Sequence, residues 1–238
     1  MPCVAANPNR IRPLDALKAI RALLRDPDDT ARVFDVIDAL SGRTGVRLFQ
    51  RFCAGEAGQK LLAERPALLE MLSDRQRLQT LPAGSLGRHY AEFMSREQIS
   101  ADGLVEASEA PWRDALPPDR RWFADRIRDQ HDLWHIVTGY ERDLIGEAAL
   151  LAFSFAQTRN PGIGLIVAVA YGKAGRESPA ARPLLREAWH RGRRSVWLPE
   201  QPWERLLAEP LSAVREKLRV GDPPVYEPLR SPGAPAVA

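Results

Sequence analysis

Two of the chain's four histidines, His131 and His135, stand four residues apart in the stretch RDQHDLWHIVTGYERDLIGE, residues 128–147. On a helix this spacing stacks both imidazoles on one face, which is how a helix offers two ligands to one metal ion. Asp132 follows the first histidine and points about 100° away on an ideal helix. From there it can lend an oxygen at the edge of a site or accept a proton from a ligand imidazole. Glu147 lies twelve residues past His135, and one unbroken helix would carry it about 120° off the histidine face. Gly139 breaks that helix, and a turn over 139–142 lets the next helix fold back and bring Glu147 to the pair. Glu147 shares an apolar face with Ala148, Leu151 and Phe155. An unpaired buried carboxylate there is costly, and a divalent cation held by two neutral imidazoles supplies the compensation. The pattern is not that of the zinc proteases, which place glutamate after the first histidine. Two core histidines that merely share a face are the competing reading of the bare spacing.

The elements that must position these groups follow a helical period. Residues 14–25 place Leu14, Leu17, Ile20 and Leu24 on one stripe, and Asp26-Pro27 ends that helix. A second helix, from 28 or 29, turns Val33, Phe34, Ile37 and Leu40 inward and stops at Ser41-Gly42. A third spans 44–53, with short pieces over 56–72. Ser85 is placed to cap a helix over 86–96, and a polar connection fills 100–118. A helix then runs from Pro118 to about Thr138, with Phe123, Ile127, His131, Trp134 and Thr138 on one stripe. Others begin near 143 and span 161–172, 179–192 and 209–219, while 193–203 leaves room for a short extended piece. No segment alternates with period two for long. The expected fold class is all-α: a single multi-helix domain over residues 1–220, with a metal site between two consecutive helices. Residues 221–238 read as a Pro-rich disordered tail.

Composition narrows the function classes. With 238 residues the chain can bury a core without disulfides or structural metal. The net charge is only +3 and nearly all positive charge is arginine. The one basic cluster, HRGRRS at 190–195, lacks the aromatic-interleaved stripe of nucleic-acid proteins, so no nucleic-acid partner is expected. Cys3 and Cys53 form neither a metal-ligand pair nor a disulfide framework, and the N-terminus lacks the pattern of a secretion signal or an organelle leader. The expected location is a bacterial cytoplasm, to which the resemblance described next adds a peripheral place on the cytoplasmic side of the inner membrane. No apolar run reaches the roughly 20 residues needed to span a bilayer; the nearest, 148–158 and 162–171, are separated by Arg159, Asn160 and Pro161.

Four segments, the histidine motif among them, carry a resemblance. His-Asp-x-x-His followed by Glu147, LPAGSLGRHYAEFM at 81–94, GEAALLAFSFAQTRNPG at 146–162 and AWHRGRRSVWL at 188–198 resemble the segments of the coenzyme Q (ubiquinone) biosynthesis family called Coq-four. The resemblance covers about Phe34 to Val220. His89 falls where relatives often carry an acid, and no role is assigned to it. The resemblance implies a zinc-type divalent metal bound by His131, Asp132, His135 and Glu147, the four also being the expected catalytic residues. It implies an α-helical protein that associates with membrane lipid and organises other ubiquinone-biosynthesis enzymes. It further implies oxidative decarboxylation of a polyprenylated hydroxybenzoate, the carboxyl at ring carbon one being replaced by hydroxyl. The ligand types suit zinc as a Lewis acid and also Fe²⁺ with oxygen.

An isoprenoid or quinone-type lipid needs an apolar path. Leu150, Leu151, Phe155, Ile163 and Val167 are the expected channel wall, with the core of a helical bundle as the other reading. Arg191, Arg193 and Arg194 are the expected membrane-surface cluster, against an ordinary solvated basic face. Trp197 and Trp203 flank that cluster, at an interface or simply packed. A homodimer is expected. Two other function classes stand beside the enzyme. One is a lipid-binding scaffold with a structural metal. The other is an HD-type metal phosphohydrolase, which would need His89 and Asp143 to converge on the His131–Asp132 pair.

Overall fold

The computed structural model describes residues 10–229 except 28, 109, 110 and 179. The chain runs through α1 (Pro13–Arg25), α2 (Thr30–Leu40), α3 (Thr44–Ala54), α4 (Glu56–Glu64), α5 (Leu68–Ser73), α6 (Arg75–Thr80), α7 (Leu86–Arg96) and α8 (Ala101–Ala107). It continues through α9 (Pro111–Asp114), α10 (Pro118–Asp129), α11 (His131–Thr138), α12 (Leu144–Thr158), α13 (Pro161–Glu177) and α14 (Ala181–Arg194), then a 3₁₀ turn over Leu198–Glu200, α15 (Trp203–Leu206) and α16 (Leu211–Leu218). Among the described residues there is no strand, and the single isolated bridge joins Ser85 and Pro210. Residues around 195–197 are extended but pair with no strand, so the all-α expectation holds.

Local chemistry explains the boundaries. Asp29 caps α2 by accepting from the Arg32 amide, and Ser85 caps α7 by accepting from the Arg88 amide at 3.3 Å. The helix expected over 118–138 is divided at Gln130 into α10 and α11. The Gln130 side chain, fully buried, donates to the Arg126 carbonyl and accepts from the indoles of Trp134 and Trp203. One amide thus pins the bend between two helices and a third element. Trp203 and Trp197 are buried packing residues, the latter donating to the Gln157 carbonyl.

The main core lies between α7, α11, α12, α14 and α16. Its tightest contact joins α12 and α14, and Gly192 makes it close. A Cβ on Gly192 would fall 2.6 Å from the Phe153 carbonyl oxygen and 2.9 Å from the Ala156 methyl. Gln157 reinforces the contact by donating to the Gly192 carbonyl at 2.6 Å while its carbonyl accepts from the Leu198 amide. A smaller cluster of Ala19, Ile20, Val36 and Ile166 ties the α1–α2 hairpin to α13.

Two expectations are corrected. The stripe expected to bury Leu14, Leu17, Ile20 and Leu24 does not face inward as a unit: Ile20 is buried, while the three leucines are exposed. Ala16 and Ala19 take the inner face instead, because small residues let α1 lie close on α2. The tail expected to be disordered from 221 onward is docked as far as it is described. Tyr226 donates to Asp143 and accepts from the Glu141 amide, and the Leu229 backbone bonds Asp143 and the Leu144 amide. Residues 230–238 of that expected tail, like residues 1–9, lie outside the described residues.

Replacing Gly192 by alanine should force α12 and α14 apart at a backbone atom that cannot give way. We expect a loss of about 1–3 kcal/mol, typical of overpacking, read as a lower denaturant midpoint with unchanged slope. An unchanged midpoint would mean that the contact is looser than the geometry states.

Candidate metal centre

α11 presents both histidines. Their ring centroids are 4.9 Å apart in an edge-on arrangement, and the His135 ring stacks on Phe93 of α7 at 5.8 Å. Ligand atoms of His131, Asp132 and His135 all lie within 4.8 Å of one another. Asp132 is buried, with its Oδ1 3.1 Å from His131 Nδ1. His135 Nδ1–H donates to the Tyr140 carbonyl at 2.8 Å, which leaves the lone pair on Nε2. That Nε2 atom is buried and has no hydrogen-bond partner.

Gly139 returns the chain as the spacing predicts. It ends α11 at φ +76°, and its amide bonds the His135 carbonyl. Asp143 starts α12 by accepting from the Ile145 and Gly146 amides. Glu147, in the first turn, then reaches His135, with Oε2 3.5 Å from Nε2. That is too long for a good hydrogen bond. Glu147 is about one-third exposed, and that exposure opens into the cavity described below. Arg142 Nε lies 3.5 Å from its other oxygen.

The electrostatics of the site set carboxylates against nitrogen cations. Burial alone would raise the Glu147 pKa, but His135, His131 and Arg142 outweigh it and hold the group at about 2. Burial likewise works against charge on His135, yet Glu147 and Asp132 draw its pKa above the usual value. Two imidazoles and two carboxylates, one nitrogen of them buried and unpartnered, fit a divalent transition metal in donor number and type.

The expected residues sort as follows. His131, Asp132 and His135 come together, and Glu147 approaches that group at His135. His89 does not: it is half-exposed on α7 beside Glu92. Asp143 is consumed by its cap, Tyr226 and the Leu229 amide, so the convergence an HD-type phosphohydrolase needs is missing.

Of the expected channel wall, Leu151 and Ile163 do line a cavity, of about 670 Å³, that reaches from His131, Asp132 and Glu147 to α1 and α2. Leu150 does not; it is buried in the core on the other side of α12. Val167 packs against that same core, and Phe155 lies against Gly164. Among the α12 positions lining the cavity, Glu147, Leu151, Ser154 and Thr158 form one helical stripe, with Leu144, Ile145 and Ala148 joining it at the first turn.

The basic cluster is also divided. Arg191 is buried, donating to the carbonyls of Thr138, Val220 and Asp222 and lying over the Tyr140 ring, so it cannot meet lipid. Arg193 and Arg194 are exposed.

Sequence reasoning missed the supports of the site. The Tyr140 carbonyl, Phe93, Arg215 and Tyr226 carry no local pattern. Asp143, one residue before an apolar helix, did carry the ordinary signal of an N-cap.

The fold and the site thus define an α-helical protein with a candidate metal-binding group beside a largely apolar cavity. Residues 10–224 match the profile of the coenzyme Q (ubiquinone) biosynthesis protein Coq4. The chain belongs to that family. It is 30% identical over 173 residues to the rat mitochondrial ubiquinone biosynthesis protein COQ4 homolog, covering 71% of this chain and 63% of the relative. It is 28% identical over 180 residues to the mitochondrial COQ4 of Yarrowia lipolytica, covering 75% and 67%. The match therefore spans roughly two-thirds of these relatives' own length. A crystal structure from Nostoc punctiforme, provisionally described as a ubiquinone biosynthesis protein, shares the fold with a TM-score of 0.66 at 24% identity, covering 90% of this chain and 100% of that one. The expected bacterial cytoplasmic location is overturned: the curated relatives, the human one included, are named as mitochondrial proteins.

The 139–143 turn that returns Glu147 is clamped by Tyr226, so Tyr226→Phe should weaken metal binding by about tenfold, the usual scale for a residue that orients a ligand. Competition with a chromophoric chelator reads this directly. Wild-type affinity in the variant would show that the turn holds its position unaided.

Proposed function

We propose that the protein replaces the carboxyl at ring carbon one of a polyprenylated hydroxybenzoate by hydroxyl, at a membrane surface, with a divalent metal held by His131, Asp132, His135 and Glu147. The observation that carries this reading is that His131, Asp132 and Glu147, with the buried His135 behind them, line a cavity whose wall is otherwise mostly apolar. Its volume lies in the range of ligand pockets, about 300–1,000 Å³. Phe34, Phe49, Ile127, Leu151, Ile163 and Ile166 line it away from the ligands and suit an isoprenoid tail.

The metal is Zn²⁺ in this reading, with Fe²⁺ as the alternative; bound there, it would act as a Lewis acid on the oxygens of the head group. The chain's own residues bind and orient. The Tyr140 carbonyl fixes the His135 tautomer, and Phe93 holds the plane of its ring. Arg142, on the cavity wall beside Glu147, offers a guanidinium to the substrate carboxylate. The apolar wall keeps bulk water from the ring. Exchange of carboxyl for hydroxyl breaks the ring–carboxyl bond and releases carbon dioxide, the new hydroxyl oxygen coming from water; dioxygen takes the two electrons and two protons removed and leaves as hydrogen peroxide. The protein works as a homodimer among the other enzymes of the pathway.

A lipid-binding scaffold with a structural metal is the second reading, favoured by the presence of four protein donors, enough to close a zinc coordination shell. The deciding experiment is complementation of a strain lacking the ring carbon-one step. Wild type restores ubiquinone, while His135→Ala and Glu147→Ala, at equal protein level, leave it at background. Full restoration by either variant sinks the catalytic reading.

A further inference from the structure

α1 has an outer face of an unusual kind. Leu14 is 73% exposed, Leu24 45% and Leu17 43%, and Ile11 just before the helix is 54% exposed. These are four of the six large exposed hydrophobic residues described. On an ideal helix the three leucines fall within about 80° of arc, with Arg21, Arg25 and Lys18 between and beside them. Residues 10–25 hold five basic side chains, Arg10, Arg12, Lys18, Arg21 and Arg25, against one acid, Asp15, which pairs with Arg12. Leucines interleaved with long cationic side chains are the composition of a helix lying in a bilayer interface, apolar groups down and charged heads reaching to phosphate.

The cavity connects to this face. Ile20, Leu23 and Leu24 of α1 line it, and Leu24 is also open to the outer surface. Leu24 therefore belongs both to the cavity wall and to the exposed leucine face.

We propose that α1 docks the protein on an anionic phospholipid surface, lying in the plane of the interface, so that the α1 side of the cavity opens to the acyl chains. α1 has 13 residues, and among the described residues no helix is long and apolar enough to cross a membrane, so the contact is interfacial. A second copy of the chain is the poorer occupant. A two-fold contact presents the same patch to itself, setting the basic side chains of one α1 against those of the other. The docking surface also moves the membrane contact away from α14, where Arg191 is buried.

The test is flotation of the full chain with vesicles of phosphatidylcholine alone or mixed with phosphatidylglycerol, without metal or substrate, so that its failure is separate from failure of the proposed chemistry. Wild type should bind the anionic vesicles, and bind them less as salt rises. Leu14→Glu/Leu17→Glu should weaken binding at least about tenfold, and Lys18→Glu/Arg21→Glu should remove the preference for the anionic lipid. All four side chains are exposed, so the melting temperature should stay at the wild-type value, which checks the fold. Arg193→Glu/Arg194→Glu on α14 should bind like wild type. The proposal is overturned if wild type does not float or if the leucine pair binds undiminished. It is also overturned if the α14 pair rather than the α1 pairs abolishes binding, or if the leucine substitutions turn a dimer into a monomer by light scattering.

Discussion

The site depends on one awkward requirement: α11 must end, deep in the protein, three residues after its second histidine. A helix end leaves its last carbonyls without intrahelical donors, and here that end is buried from Asp132 through Thr138. Distant residues meet the need. Arg215 of α16 donates to the carbonyls of Ile136 and Val137, Arg191 of α14 to that of Thr138, and the Gly139 amide to that of His135. Cations at this end also oppose the negative pole of the helix. Without these donors the buried end would carry the full cost of unsatisfied backbone, and the turn that returns Glu147 would lose its footing. The two arginines sit on α14 and α16, so the candidate site is assembled from the middle of the chain but secured from its end.

The second constraint is the division of α12 between two apolar environments. Leu150 and Phe153 pack in the core, while Leu151 and Ser154 face the cavity. Native interiors are close-packed, and unfilled volume forgoes dispersion contacts. A cavity of this size is kept by the helices that frame it rather than by its own contents. Gly192 and Gln157 lock α12 to α14 on the core side, so that the opposite stripe of α12 can remain a wall. In the proposed chemistry that rigidity is what would hold Glu147 against a metal while the tail of the substrate fills the space beyond.

Much of this was legible in the residues. The helical period located nearly every long helix, Asp26-Pro27 and Ser41-Gly42 ended the first two, and Ser85 capped α7 as expected. Gly139 and the His131–Asp132–His135–Glu147 spacing marked the meeting of α11 and α12. The errors have a common source. Leu150 and Leu151 are equally apolar, so their types could not say which one faced a cavity. Leu14 and Leu17 form a faultless stripe, yet Ala16 and Ala19 pack inward because close helix contact favours small residues. Arg191 and Arg193 are two positions apart, and one is a buried strut while the other is exposed.

The amino-acid sequence by itself determined the helices, the break at Gly139, the four candidate ligands and the family. These are local: the angle between side chains on one helix depends only on their separation along it. The tertiary structure alone decided which stripe of α12 meets the cavity, and that the Tyr140 carbonyl fixes the His135 tautomer. It alone turned Arg191 and Arg215 inward, folded Tyr226 back onto Asp143 and left the leucines of α1 outside. Each of these is set by what stands opposite a side chain, often many residues away, and the burial of a group and the partner of a charge are properties of the packed chain rather than of its order.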